Sequence, residues 1–111
     1  MGKALRLDGA DNVATVLADV AKGERVQIIS DQNEIIAEIE ALQAIPFGNK
    51  IALAPLHPGD HLIKGGAAVG KAIKPVPLGQ LAHVQNIRSL NLDIPETMIR
   101  EIITQMNIEE D

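Results

Sequence analysis

The chain has 111 residues, enough for one domain, and a formal net charge of −5, which argues against DNA or RNA as the main partner. It has no cysteine, so disulfides, thiolate metal sites and cysteine nucleophiles are excluded. Hydrophobic residues make up 46%, yet Phe47 is the sole aromatic, so the core must be assembled from Ile, Leu, Val and Ala, without the stacking platforms of single-strand nucleic-acid binders.

Lys3 to Leu7 alternates in polarity and predicts a first strand. Asp8-Gly9-Ala10-Asp11-Asn12 is turn chemistry. Val13 to Leu17 is too short for periodicity to separate strand from helical turn, and the strand is preferred. Arg25–Ser30 and Ile35–Leu42, joined by Asp31-Gln32-Asn33, predict a hairpin. Ile35, Ala37, Ile39 and Ala41 share one expected buried face, and Glu34, Glu38 and Glu40 the wet one. Ile51–Ala54, Leu62–Lys64 and Val69–Ile73 are further short strands, and Leu81–Ile87 is read as the last. Asp93-Ile-Pro-Glu96 has the form of a capping box. Ile94, Met98, Ile102 and Met106, with Ile99 and Ile103 alongside, then predict an amphipathic helix over 94–108. That helix either packs on its own sheet or docks on another chain, a second copy included. The expected division is a β unit over 1–90 followed by the helix and acidic tail over 91–111. The tail, Glu109-Glu110-Asp111, reads as a solvated end.

A phrase recurs four times: apolar, two residues, Gly, two residues, apolar. It is centred on Gly23, Gly48, Gly59 and Gly79. Glycine takes positive φ without strain, so each phrase predicts a strand-to-strand corner. Four corners predict a mostly β, heavily folded-over domain that binds or docks. No charged-then-apolar leader is visible, and no apolar run nears the roughly 20 residues that span a bilayer, so a cytoplasmic protein off the membrane is expected.

No catalytic signature is complete. Gly66-x-x-x-Gly70-Lys71 resembles part of a phosphate loop, but Ala72 stands where the hydroxyl belongs. His57 and His61 are four apart, but Pro58-Gly59 between them breaks the helix that a metal pair would need. His83-Val-Gln-Asn86 carries more chemistry. On a strand, His83 and Gln85 share a face and Asn86 sits at its end. They are either a histidine satisfied by its backbone surroundings or a polar cluster facing a ligand or partner.

From Gly48 to Ile87 the chain closely resembles the SAF-type N-terminal domain of the altronate and galactarate dehydratase family. The likeness lies in Gly48-Asn-Lys-Ile-Ala-Leu53, Pro58-Gly-Asp-His-Leu-Ile-Lys64, Gly66, Val69-Gly-Lys-Ala72 and Gly79 to Asn86, with Asp11-Asn-Val-Ala14 and Lys22-Gly-Glu24 upstream. It also resembles the small subunit of sulfolactate sulfo-lyase. The resemblance implies a β-clip fold with a C-terminal helix, and a role beside a much larger catalytic region. It implies a hydro-lyase component that assists substrate binding or assembly and is not catalytic alone. A divalent metal, commonly iron, would be held by the partner and not within this chain. Lys64, His83, Gln85 and Asn86 become candidate substrate or interface groups, Lys64 as a point charge for a carboxylate. Gly65 replaces the family Tyr, Val84 a Thr and Gln85 the second His of the last motif. An amide ligates a metal poorly, which leaves His83 as the one imidazole of that motif able to do so. The alternative is a free-standing SAF-like module that binds a small molecule or a protein without catalysis. A self-contained enzyme ranks last, since no carboxylate pair or metal cluster is visible.

Overall fold

The structure is a computed structural model that describes residues 1–110. Nine strands and one helix follow in the order β1 (Gly2–Arg6), β2 (Val13–Val16), β3 (Arg25–Ser30), β4 (Ile35–Glu40), β5 (Lys50–Ala52), β6 (His61–Lys64), β7 (Ala67–Ala72), β8 (Leu81–Ala82), β9 (Ile87–Ser89) and α1 (Glu96–Met106). They form a six-stranded sheet, ordered β4-β3-β1-β2-β5-β8, and a three-stranded sheet, β6-β7-β9. Among the described residues only β1 and β3 pair in parallel. The mostly β class with a single C-terminal helix is the one expected.

Each glycine corner is built the same way. The residue after Gly donates its N–H back three positions: Glu24 to Ala21, Asn49 to Pro46, Asp60 to His57 and Gln80 to Pro77, at 2.9–3.1 Å. The glycines have φ of 85°, 84°, 95° and 88°, which a type II turn requires at its third position. Each glycine N–H then bonds a carbonyl distant in sequence, as Gly23 does that of Ala41 and Gly79 that of Ala52. The corners are also joined in pairs. Val20 bridges Ile45, and Leu56 bridges Val76. A short local phrase therefore sets where four strands change direction and which corners meet.

The apolar anchors of these corners enter the core. Val20, Val26, Ile45 and Ile51 join Ala4, Val16 and Ile28 in the main cluster. Leu56 and Val76 pack with Ala52 and Ala72, and Leu62 with Val13 and Ala82. Phe47 lies outside, 67% exposed.

Three expectations are corrected. The hairpin is present, but its predicted inner face is buried only at Ile39 and Ala41, and Ile35 is 65% exposed. Strand β4 is the sheet edge, its register shifts between Ile28 and Ile29, and nothing covers its first half. The segment from Leu81 to Ile87 is not one strand. It breaks after Ala82 into a turn, where His83 O accepts from the N–H groups of Asn86 and Ile87. The helix begins at Glu96, with Pro95 at its N-cap and no side-chain cap, so Asp93 does not cap it. Proline at residue 95 favours the extended backbone (ψ 145°) that ends the preceding segment.

The helix lies on its own domain. Ile99 and Ile103 are buried, whereas Met98 on the expected seam is 53% exposed. Asn107 ends it in the left-handed conformation, and the chain returns to the body. Ile108 packs against the main cluster, and Glu109 pairs with Lys22 and Glu110 with Arg100. Glu109 and Glu110 remain exposed and make surface ion pairs, while Asp111 lies outside the described residues. No described helix is long and apolar enough to cross a membrane.

Candidate functional site

The main recess lies where the two sheets meet. Strand β5 supplies Lys50 from the large sheet, and β6 supplies Lys64 from the small one. Leu62, Val69, Ala82 and Ile87 give it an apolar lining, and residues 90–96 form a strap along its rim. Its volume is about 990 Å³, enough for a small organic ligand. Arg88 on β9 pairs with Glu96 at 3.1 Å and ties the strap's end to the sheet. Arg88 also donates to the Val84 carbonyl, which holds the turn against β9.

Position 50 follows from strand alternation. Ile51 goes into the main cluster, so Lys50 before it faces the other way, into the recess. Burial, and then the neighbouring Lys64 ammonium, hold the Lys50 pKa below its ordinary 10.5. His83 stands in the turn after β8, its ring half-buried in the same recess. Burial, and then the charge on Lys50, lower its pKa from the ordinary 6.5. Both effects favour the neutral imidazole, which carries one donor and one acceptor nitrogen.

The turn is built by the two amides beside the histidine. Asn86 Oδ1 accepts the His83 N–H at 3.0 Å, and Asn86 Nδ2 donates to the Leu81 carbonyl at 2.9 Å. Gln85 Nε2 donates to the same carbonyl at 2.9 Å. Both residues are buried, at 2% and 5% exposure, and neither lines the recess. Of the four candidates, Lys64 and His83 come together in the recess. Gln85 and Asn86 point into the protein and shape the backbone that presents His83. Expecting His83 and Gln85 on one face presumed a strand, and the turn separates them. Lys50 was missed. Its signal was a lone lysine opening the apolar run Ile51-Ala-Leu.

The other sequence candidates lie elsewhere. His57 and His61 are exposed near the third corner. Gly65 and Gly66 have positive φ, and their N–H groups converge on one carboxylate, Asp11, at 2.8 and 2.9 Å. This small anion nest is already filled by the chain itself. Among the described residues no three His, Cys, Asp or Glu side chains gather to hold a metal. Lys50, Lys64 and the Glu96-paired Arg88 line the recess against two carboxylates, Asp93 and Glu96, a positive balance that favours an anion over a cation.

The shift of His83 carries a pH dependence. Its folded pKa lies below the unfolded 6.5, so the unfolded chain binds that proton more readily between the two values. The stability contributed by the neutral ring is present above 6.5 and lost as pH falls through the folded value. Urea unfolding at about pH 8 and about pH 5 should show a smaller acid loss in His83→Gln than in the natural chain. Equal losses would assign the acid sensitivity to other groups.

Residues 2–90 match the family described as the altronate/galactarate dehydratase SAF domain. The chain belongs to this family. The SAF domain is similar to altronate dehydratase of Bacillus subtilis, 31% identical over 90 residues, or 81% of this chain and 17% of that protein. It is 29% identical over 92 residues to altronate dehydratase of Escherichia coli, covering 83% of this chain and again 17% of the relative. A third relative is (2R)-sulfolactate sulfo-lyase subunit alpha of Chromohalobacter salexigens, 25% identical over 84 residues, 74% of this chain and 88% of that subunit. The SAF domain thus spans about a sixth of the length of the altronate dehydratases it matches. The family match takes in all nine strands and the recess as far as Leu90, and it stops before α1.

Proposed function

We propose that this chain is the SAF component of a lyase acting on a small hydroxy acid, assisting a larger catalytic chain or region of the sugar-acid dehydratase type. The observation that carries the reading is the contrast among three relatives. The same unit is a sixth of the length of two altronate dehydratases and nearly the whole of a lyase's alpha subunit. The reaction would be loss of water from a 2,3-dihydroxy acid. A base takes the proton from C2, the C3 hydroxyl leaves as water, and the resulting enol becomes the 2-keto acid. The base belongs to the larger chain, and so does the divalent metal, iron, that the family resemblance implies, because the recess here does not suit a cation. Lys64 and His83 face the junction and orient the acid. The reading places the work in the cytoplasm.

The test is capture of the tagged chain from its source cell, followed by activity. The expected result is a stoichiometric large chain of dehydratase type, whose dehydration of a sugar acid depends on adding this one. Absence of any such companion would overturn the proposal. Sugar-acid binding without a companion would favour the free-standing module instead.

A further inference from the structure

The recess holds an uncompensated positive charge in a chain whose net charge is −5. The ion pairs among the described residues use Lys22, Arg25, Arg88 and Arg100. No described carboxylate lies within 4.0 Å of Lys50 or Lys64, although Glu96 and Asp93 line the same recess. Glu96 turns to Arg88, and Asp93 stays exposed on the strap. Two ammonium groups brought together from different sheets repel each other, and half-burial strengthens that repulsion. Natural folds usually place a carboxylate beside such a pair, and here that place is open.

We propose that Lys50, Lys64 and His83 form, within this chain alone, a binding site for the carboxylate end of a small polyhydroxy acid. The two lysines are compact donors suited to the two oxygens of one carboxylate. The neutral imidazole offers one further hydrogen bond to a hydroxyl on the adjoining carbon. Ser89 and Asn91 also line the recess and add polar groups that can meet hydroxyls. About 990 Å³ accommodates a six-carbon acid and admits water with it. This site rests on the recess being the substrate-facing surface of the preceding section, but it needs no companion chain to be observed.

The test is titration of the full chain with gluconate, sorbitol and acetate, followed by amide and lysine-ammonium NMR. Gluconate should shift Lys50, Lys64 and His83 saturably. Sorbitol, which lacks the carboxylate, should leave them unmoved, and acetate should bind more weakly than gluconate. Lys50→Met and Lys64→Met should each weaken gluconate by about tenfold or more. Lys71→Met, exposed on β7 and outside the recess, should not. Should Lys50→Met misfold, Lys64→Met at the last position of β6 still decides the matter. Unmoved recess resonances with gluconate, equal binding of sorbitol, or full affinity in Lys64→Met would overturn the site. Since no partner is present, this failure is distinct from failure to capture a companion chain.

Discussion

Gly79→Ala should come close to abolishing folding, whereas Gly59→Ala should be tolerated. Both positions hold the same left-handed backbone, φ 88° and 95°, so both lose about 1–2 kcal/mol when a Cβ is added. Their surroundings differ. A Cβ on Gly59 meets nothing within 4 Å, but one on Gly79 would sit 2.2 Å from the Glu40 carbonyl oxygen. That oxygen is backbone and cannot rotate away. Gly79 is also fixed on both sides, its N–H donating to Ala52 and its carbonyl accepting from Leu42, each at 2.9 Å. Relief of the overlap must break one of these ties between the fourth corner and the large sheet. The expected loss at Gly79 is above roughly 4 kcal/mol, against a total stability of about 5–15 kcal/mol for a natural domain. Urea unfolding followed by circular dichroism is the measurement. Similar midpoints for the two variants would show that the fourth corner is free to move.

Asn86→Leu should cost roughly 2–4 kcal/mol, and Gln85→Leu close to nothing. The two amides are neighbours, similarly buried, and donate to the same carbonyl of Leu81. Their acceptors separate them. Asn86 Oδ1 takes the His83 N–H, and its loss leaves that donor and one contact to Leu81 unmet inside the protein. Gln85 Oε1 has no donor among the described residues, so its amide already carries an unmet acceptor. Removing a half-satisfied group removes a cost along with a bond. Leucine fills a similar volume, and Asn86 Nδ2 still serves the Leu81 carbonyl. Thermal unfolding measures both effects. The His83 ring resonances give the second readout, because Asn86→Leu should also release the turn that presents the ring to the recess. Comparable losses in both variants would mean that the Gln85 acceptor finds a partner in solution, a buried water for instance.

The corners and the site differ in how much of each was legible beforehand. A glycine corner is a local object. The anchors, the glycine and the polar residue after it lie within seven positions, and the type II turn is decided there. The same holds for the strands that alternate and for the existence of the C-terminal helix. One error falls where a distant segment has the last word, and two where a local bond or a proline overrides the pattern. Ile35 and Ala37 alternate as a buried face should, but whether a strand is covered depends on what packs over it, and β4 is an edge. Leu81 to Ile87 has strand composition, but two buried amides capture the Leu81 carbonyl and turn the chain. Asp93 and Glu96 have the spacing of a cap, while Pro95 holds the backbone extended until Glu96.

Residue order alone settled that this chain folds back four times around an aliphatic core, and it carried enough of the family's motif to name the family. It also nominated Lys64 and His83 separately. Only the tertiary structure decided that they share a recess, that Lys50 from the other sheet joins them, and that no described carboxylate answers the two ammonium groups. The reason is physical: turns are set by neighbours in the chain, whereas charge and burial are set by neighbours in space, and those arrive from strands up to tens of residues away.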